Sequence, residues 1–162
     1  MRKVTAGLLA AVSLCLAAGQ SRAAVFLSEL CDPQNNYQTD RFIEIYNSGP
    51  DAVDLTSWKV IAVGNNVDVN TWPLSGTIGA GEAKVCGSTA PTTVFPIHFA
   101  SASWLANYTN WNGNVGDGAK LLNASNTVID LIVAPASGLF ENKDLVRNAS
   151  VTDPSPTYVA SQ

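Results

Sequence analysis

The sequence predicts an all-β protein, an immunoglobulin-like β-sandwich of about seven or more short strands. Short β-branched and aromatic runs recur along the chain, separated by Gly, Pro, Asn and Asp. No segment beyond residue 23 keeps the 3.6-residue apolar period of an amphipathic helix. An open barrel is the alternative architecture. The predicted strands lie near 25–30, 41–47, 57–63, 71–75, 82–86, 118–122 and 127–133.

Two local patterns justify the strands most directly. The run "FIEIYN" alternates in polarity, which places Ile43, Ile45 and Asn47 on the face opposite to Phe42, Glu44 and Tyr46. The tetrapeptide "NASN" at 123–126 separates two apolar runs, and its Asn and Ser residues favour a turn. The runs on either side of it therefore form a predicted β-hairpin.

The N-terminus has the features of a secretory signal peptide. Arg2 and Lys3 precede an apolar run, and Ser21 and Ala23 supply the small residues that a signal peptidase requires. A transmembrane anchor is the alternative, but the run is shorter than the ~20 residues that a bilayer needs. We therefore expect a secreted protein, periplasmic or extracellular, with no membrane span after cleavage. The predicted organisation is a signal peptide at 1–23, one domain at 24–150 and a linker or C-terminal tail at 151–162.

The charge of the exported chain argues against a nucleic-acid partner. Removal of Arg2, Lys3 and Arg22 leaves six basic residues against thirteen acidic ones, a formal net charge of about −7. The remaining basic residues are scattered singly, whereas a protein that binds DNA by charge clusters them. An unknown protein or a neutral glycan is the expected partner.

Cys31 and Cys86 are the cysteines that follow the signal peptide. An even count in an exported protein favours a disulfide between them, and two separate buried thiols are the alternative. The sequence has no CxxC motif and a single histidine, His98, so we expect neither a metal site nor a cofactor.

The irregular stretch at 87–117 contains the predicted binding residues. Trp104, Tyr108 and Trp111 are spaced three to four residues apart among small polar residues. Such rings can stack on sugars or anchor a protein partner. The alternative is that they fold back and cap one end of the sandwich.

Glu29 and Glu44 lie on neighbouring predicted strands, so a carboxylate pair for general acid–base catalysis is conceivable. A small sandwich rarely offers the cleft that a glycosidase needs, and a half-buried glutamate can instead accept hydrogen bonds that hold a sheet together. We therefore assign Glu29 and Glu44 structural roles. Trp58 is expected to be a core residue.

Several pieces in order resemble the lamin-tail domain found in secreted bacterial proteins. They are "VFLSEL" with Glu29, "FIEIYNSG" with Glu44 and Asn47, "AVDLTSWKV" with Trp58, "NGNVGDGAKLL", "TVIDLI" and "KDLVR". The turn "NGNVGDGA" departs from the tighter Asn-Gly-Asp-Asp turn that is common in such domains. The resemblance implies an immunoglobulin-like domain that is not an enzyme, in which both glutamates and Asn47 and Trp58 are structural.

The resemblance also implies a role in binding or tethering, because such modules often accompany extracellular nucleases or phosphatases. The first functional hypothesis is thus a secreted non-catalytic module, accessory to an extracellular hydrolase. The alternative is the N-terminal part of an extracellular nuclease or phosphatase whose catalytic domain lies beyond Gln162. A small hydrolase that uses Glu29 and Glu44 is the third and weakest hypothesis.

Overall fold

The computed structural model describes residues 24–92, 96–106 and 110–160, without the side chains of 105 and 106. The predicted signal peptide at 1–23 lies outside these described residues. Within them the chain forms eleven strands and two short helices. In order, these are β1 (Val25–Cys31), α1 (Tyr37–Asp40), β2 (Phe42–Asn47), β3 (Val53–Asp54), β4 (Lys59–Gly64), β5 (Val67–Pro73), β6 (Thr77–Ile78), β7 (Ala83–Ser88), β8 (Phe99–Ser101), α2 (Ala102–Ala106), β9 (Gly118–Leu122), β10 (Val128–Val133) and β11 (Asp144–Val146).

The strands form two packed sheets and a small ribbon. The first sheet has five strands in the order β11-β1-β2-β7-β8, and the second has four in the order β10-β9-β4-β5. Strands β3 and β6 form the two-stranded ribbon. Neighbouring strands are antiparallel except β7 and β8, which are parallel. This arrangement confirms the predicted immunoglobulin-like β-sandwich, because the two sheets keep separate edges instead of closing into a barrel.

Strand β2 shows how the sequence specifies the sandwich. Its burial alternates residue by residue, with Ile43, Ile45 and Asn47 buried and the residues between them half-buried. Ile43 and Ile45 are fully inaccessible and join the core cluster between the sheets. The alternation predicted from "FIEIYN" is therefore confirmed.

The predicted hairpin around 123–126 is also confirmed. Strands β9 and β10 pair antiparallel, and Asn123 Oδ1 accepts hydrogen bonds from the backbone N–H groups of Ser125 and Thr127. Asn126 has φ = 59°, the left-handed conformation that asparagine tolerates better than most residues. The local turn chemistry thus sets the register of the hairpin.

A second hairpin was not predicted. Strand β5 begins at Val67, earlier than the predicted 71, and pairs with β4. The connection is Asn65–Asn66, with φ = 53° and 65°. Two successive left-handed residues are the requirement of the tight hairpin turn that matches the twist of paired strands. The dipeptide Asn65-Asn66 is therefore the sequence feature that indicates this turn.

The structure contradicts the predicted disulfide. Cys31 in β1 and Cys86 in β7 are free, buried thiols. Strand β2 lies between β1 and β7, with Cys31 opposite Phe42 and Cys86 opposite Ile43. Two strand spacings of about 4.8 Å separate the cysteines, beyond the 4.4–6.8 Å between Cα atoms that a disulfide spans. Burial raises the pKa of both thiols.

The segment predicted as a linker or tail lies against the body of the domain over its described residues, 151–160. It has no helix or strand, yet the backbone N–H of Ser155 donates to Asp130 Oδ1 at 2.7 Å and that of Leu131 donates to the Ser155 carbonyl at 2.9 Å. Ser48 Oγ donates to the Thr152 carbonyl at 2.6 Å. The segment therefore runs along the edge strand β10. Neither described helix has the length and hydropathy needed to cross a membrane.

Candidate functional site

The structure contradicts the binding role predicted for Trp104 and Trp111. Their exposed fractions are 1% and 0%, and Trp104 packs edge-on between Trp72 and Trp111 with ring centroids 4.8 and 5.2 Å away. The indole N–H of Trp104 donates to the Arg41 carbonyl at 3.0 Å, and that of Trp111 to the Gly118 carbonyl at 2.7 Å. Both rings belong to the hydrophobic core. This burial agrees with the alternative prediction, in which the rings fold back onto the sandwich. Tyr108 lies outside the described residues.

Glu29 and Glu44 lie directly opposite each other on β1 and β2. Ser28 Oγ donates a hydrogen bond to Glu44 Oε1 at 2.7 Å. Burial raises the pKa of Glu29 from 4.5 to about 7, and the negative charges of Asp144 and Glu44 add to the rise. Neither glutamate lines the groove described below.

The raised pKa of Glu29 predicts a pH-dependent stability. A folded-state pKa above the unfolded value means that protonated Glu29 stabilises the fold, fully below about pH 4.5 and progressively less as the pH rises through 7. We expect Glu29→Gln to match wild type at pH 4.5 and to exceed its free energy of unfolding by about 1–2 kcal/mol at pH 8, after a reduction for solvent screening.

Urea unfolding between pH 4.5 and 8 measures this difference. The exposed Glu141 provides the control, because Glu141→Gln removes a carboxylate from the surface without touching the pair. Equal pH dependence in wild type and Glu29→Gln would contradict the assignment.

Asn47 ties the end of β2 to two turns. Its Oδ1 accepts from the Gly49 N–H at 3.0 Å, and its Nδ2 donates to the carbonyls of Asp51 at 2.8 Å and Gly79 at 3.1 Å. The residue is fully buried. The Asn47 side chain thus holds the end of β2 in place by hydrogen bonds to the backbone of both turns.

An open groove of about 590 Å³ lies where the C-terminal segment passes the β9–β10 hairpin. We call it the Trp58 groove. It is lined by Trp58, Asn123, Val128, Ile129, Asp153, Pro154 and Pro156. Trp58 precedes β4 and is half-buried, packed on one side against the core. Its backbone is fixed on both sides, since its N–H donates to the Leu55 carbonyl and its own carbonyl accepts from Leu74.

The Trp58 groove combines an aromatic ring, two prolines and polar groups. Rigid aromatic and proline surfaces offer contact area at low entropic cost, and Asn123 and Asp153 add hydrogen-bonding atoms at the rim. The set has no nucleophile paired with a base and no cluster of titratable groups. A lining of this kind can contact a ring, an apolar side chain or an extended peptide.

Comparison with protein families decides the identity of the fold. The model of the family described as Lamin Tail Domain matches residues 18–135 of this chain, well over half its length. The chain belongs to the lamin tail domain family. That family is a non-catalytic immunoglobulin-like one. None of the curated proteins compared with the chain matches it.

This lamin tail domain contains a buried ion pair that the sequence analysis did not single out. Asp130 on β10 is fully inaccessible, and Arg147 just after β11 is 8% exposed. Arg147 Nη2 lies 3.0 Å from Asp130 Oδ2, and Asp130 also accepts from the backbone N–H groups of Leu27 and Ser155. Burial raises the pKa of Asp130, against the opposing effects of Ser155, Arg147 and Leu27. The pair joins the edges of the two sheets.

A signal for this pair is present in the sequence. In "VIDLIV" an acid interrupts an apolar strand, and a buried acid requires a cation or several N–H donors. In the part of the lamin tail domain that the structure describes, no group of three or more His, Cys, Asp or Glu side chains is arranged to hold a metal ion.

Proposed function

We propose that this lamin tail domain is an exported, non-catalytic module that binds or tethers a partner through the Trp58 groove. The observation that carries the proposal is the half-buried indole of Trp58 beside Pro154 and Pro156 in a space of about 590 Å³. The signal-peptide features at 1–23 support export to the periplasm or the cell exterior.

Charge supports a neutral glycan or a protein surface as the partner rather than a nucleic acid. The chain beyond residue 23 has a formal net charge of about −7, and the groove itself contains Asp153 and no cation. Phosphate backbones bind proteins by displacing counterions with Lys and Arg, which the groove does not offer. The resemblance to modules that accompany extracellular hydrolases supports an accessory role beside such an enzyme.

Two substitutions test the groove from opposite directions. Trp58→Ala removes the ring, and Val128→Trp fills the space in front of it. Val146→Trp serves as the matched control, because Val146 is 63% exposed on the edge strand of the other sheet. We expect both groove variants to reduce retention on cell-wall or envelope fractions at least tenfold and the control to bind as wild type does.

Circular dichroism and thermal melting establish that each variant is folded before binding is scored. Val128→Trp keeps the contacts of Trp58 with the core, so it remains informative if Trp58→Ala unfolds. Retention that is unchanged in folded Val128→Trp would contradict the groove as the binding site.

A further inference from the structure

The C-terminal segment, residues 151–160, is attached lightly to the sandwich. Each of these residues is half-buried or exposed, and none is buried. The Thr152 carbonyl accepts from Ser48 Oγ, and Ser155 bonds to β10 through its own N–H and carbonyl. The side chain of Tyr158 is partly buried and packs against the core cluster. A segment with so little burial opens at a lower free energy than the strands of a core.

Unfilled space lies between this segment and the sandwich. The Trp58 groove borders its first half. A second space of about 70 Å³ borders residues 158–160, and the sandwich side of that space is lined by Ile132, Leu139, Leu145 and Arg147. Atoms that line such a space lose the dispersion contacts that close packing provides. The segment therefore packs more loosely on the sandwich than the two sheets pack on each other.

The chain enters the segment through an exposed turn at 148–150. Asn148 Oδ1 accepts from the Ser150 N–H at 3.0 Å, and the Asn148 carbonyl accepts from the Val151 N–H at 2.9 Å. These bonds lie within the turn, and Arg147 just before it is anchored by its ion pair. The segment can therefore swing away at this turn without disturbing either sheet.

The segment also supplies one wall of the Trp58 groove. Asp153, Pro154 and Pro156 form this wall, and the opposite wall comes from Trp58 and residues of the β9–β10 hairpin. Movement of the segment away from β10 would separate the two walls and leave Trp58 on an open surface. It would also free the N–H of Leu131, which donates to the Ser155 carbonyl.

We propose that residues 151–160 are a strap that opens as a unit at the turn 148–150 while the sandwich stays folded, and that the closed strap completes the Trp58 groove. A ligand that contacts both walls binds the closed form alone, so it holds the strap shut by mass action. This effect of a ligand rests on the function proposed for the groove, whereas the opening of the strap does not.

Native-state hydrogen exchange of the free protein tests the opening. The N–H groups of Leu131 and Ser155 report the strap, and that of Ile61 reports the sandwich, because β4 lies between β5 and β9. After correction for intrinsic rates, we expect Leu131 and Ser155 to exchange alike and at least a hundredfold faster than Ile61. Exchange of all three at one rate would overturn the proposal, since the segment would then open only when the whole domain unfolds.

A substitution in the core separates the two kinds of opening. Ile43→Val removes one methylene from a fully inaccessible position between the sheets and should speed the exchange of Ile61 by about two- to tenfold. Leu131 and Ser155 should be unaffected, because the open strap leaves the sandwich intact. Equal acceleration at Leu131 and Ile61 would contradict the strap.

A substitution in the segment tests its anchor. Tyr158→Ala removes the aromatic contact with the core without touching the lining of the Trp58 groove. We expect it to speed the exchange of Leu131 and Ser155 at least tenfold. Thr157→Ala, at the exposed neighbouring position, is the matched control and should change neither rate. Unchanged exchange in Tyr158→Ala would contradict the role of this ring in closing the strap.

Hydrogen exchange of protein retained on the cell-wall or envelope fraction tests the effect of a ligand. Peptides that cover 128–133 and 151–160 should exchange at least tenfold more slowly in retained than in free protein. Retention that Val128→Trp abolishes, without any slowing, would overturn closure of the strap by the ligand. Retention that Val128→Trp leaves unchanged would instead contradict the proposed function and the ligand effect with it, while the exchange of the free protein would still decide whether the strap opens.

Discussion

Trp111→Ala is expected to lower the free energy of unfolding by about 3–5 kcal/mol, a large fraction of the roughly 5–15 kcal/mol by which native proteins are stable. Trp111 is fully inaccessible and contacts Trp104 and Phe140, with ring centroids 5.2 and 4.8 Å away. The substitution removes a large ring from a packed core, and it leaves the buried Gly118 carbonyl without its indole donor at 2.7 Å. A cavity and an unsatisfied acceptor therefore act together.

Trp111→Phe separates these two contributions, since it keeps most of the ring contacts and loses the hydrogen bond. We expect it to cost about 1–3 kcal/mol. Val146→Ala, at a 63% exposed position, should change stability by no more than about 0.5 kcal/mol. Urea denaturation followed by tryptophan fluorescence and circular dichroism measures all three variants. A Trp111→Ala protein as stable as Val146→Ala would contradict the burial of this ring.

The sheet framework could be predicted because its main strands carry local signals. The alternation in β2 and the Asn-rich turn between β9 and β10 each involve residues close in sequence, so the sequence specifies them directly. Strands β3, β6, β8 and β11 were not predicted. They contain two or three residues each, too few to show an alternating pattern, and they exist because a neighbouring strand supplies their hydrogen bonds.

The aromatic residues of the long connection show where local reasoning stops. Trp104 and Trp111 are compatible by spacing with either a surface cluster or a core wall. Their environment is decided by distant partners: Trp104 donates to the carbonyl of Arg41, 63 residues away in sequence. The same applies to Cys31 and Cys86, since the strand that separates them follows from sheet order and not from spacing. Trp58 was expected in the core and lies at its margin, which is why it also lines the groove.

The second large effect is expected at the Asp130–Arg147 pair. Arg147→Met should lower the free energy of unfolding by about 3–5 kcal/mol, because it leaves the fully buried carboxylate of Asp130 without its cation. Asp130→Asn should cost a similar amount, since it leaves a guanidinium whose side chain is 2% exposed without an anion. Asparagine keeps one oxygen, which can accept from the backbone N–H of Leu27 or of Ser155 but not from both, so the loss of one hydrogen bond adds to the loss of the charge.

A double-mutant cycle shows whether the two side chains act as a pair. The double variant Asp130→Asn/Arg147→Met removes both charges together, and we expect its loss of stability to be at least about 2 kcal/mol smaller than the sum of the single losses. The exposed pair of Lys120 and Asp68 is the matched control, with an Nζ–Oδ1 distance of 2.5 Å and side chains 28% and 50% exposed. Lys120→Met should cost no more than about 1 kcal/mol, because solvent screens an exposed ion pair. Strictly additive losses at Asp130 and Arg147 would contradict the pairing, whereas strong coupling would show that burial makes this ion pair a link between the two sheets.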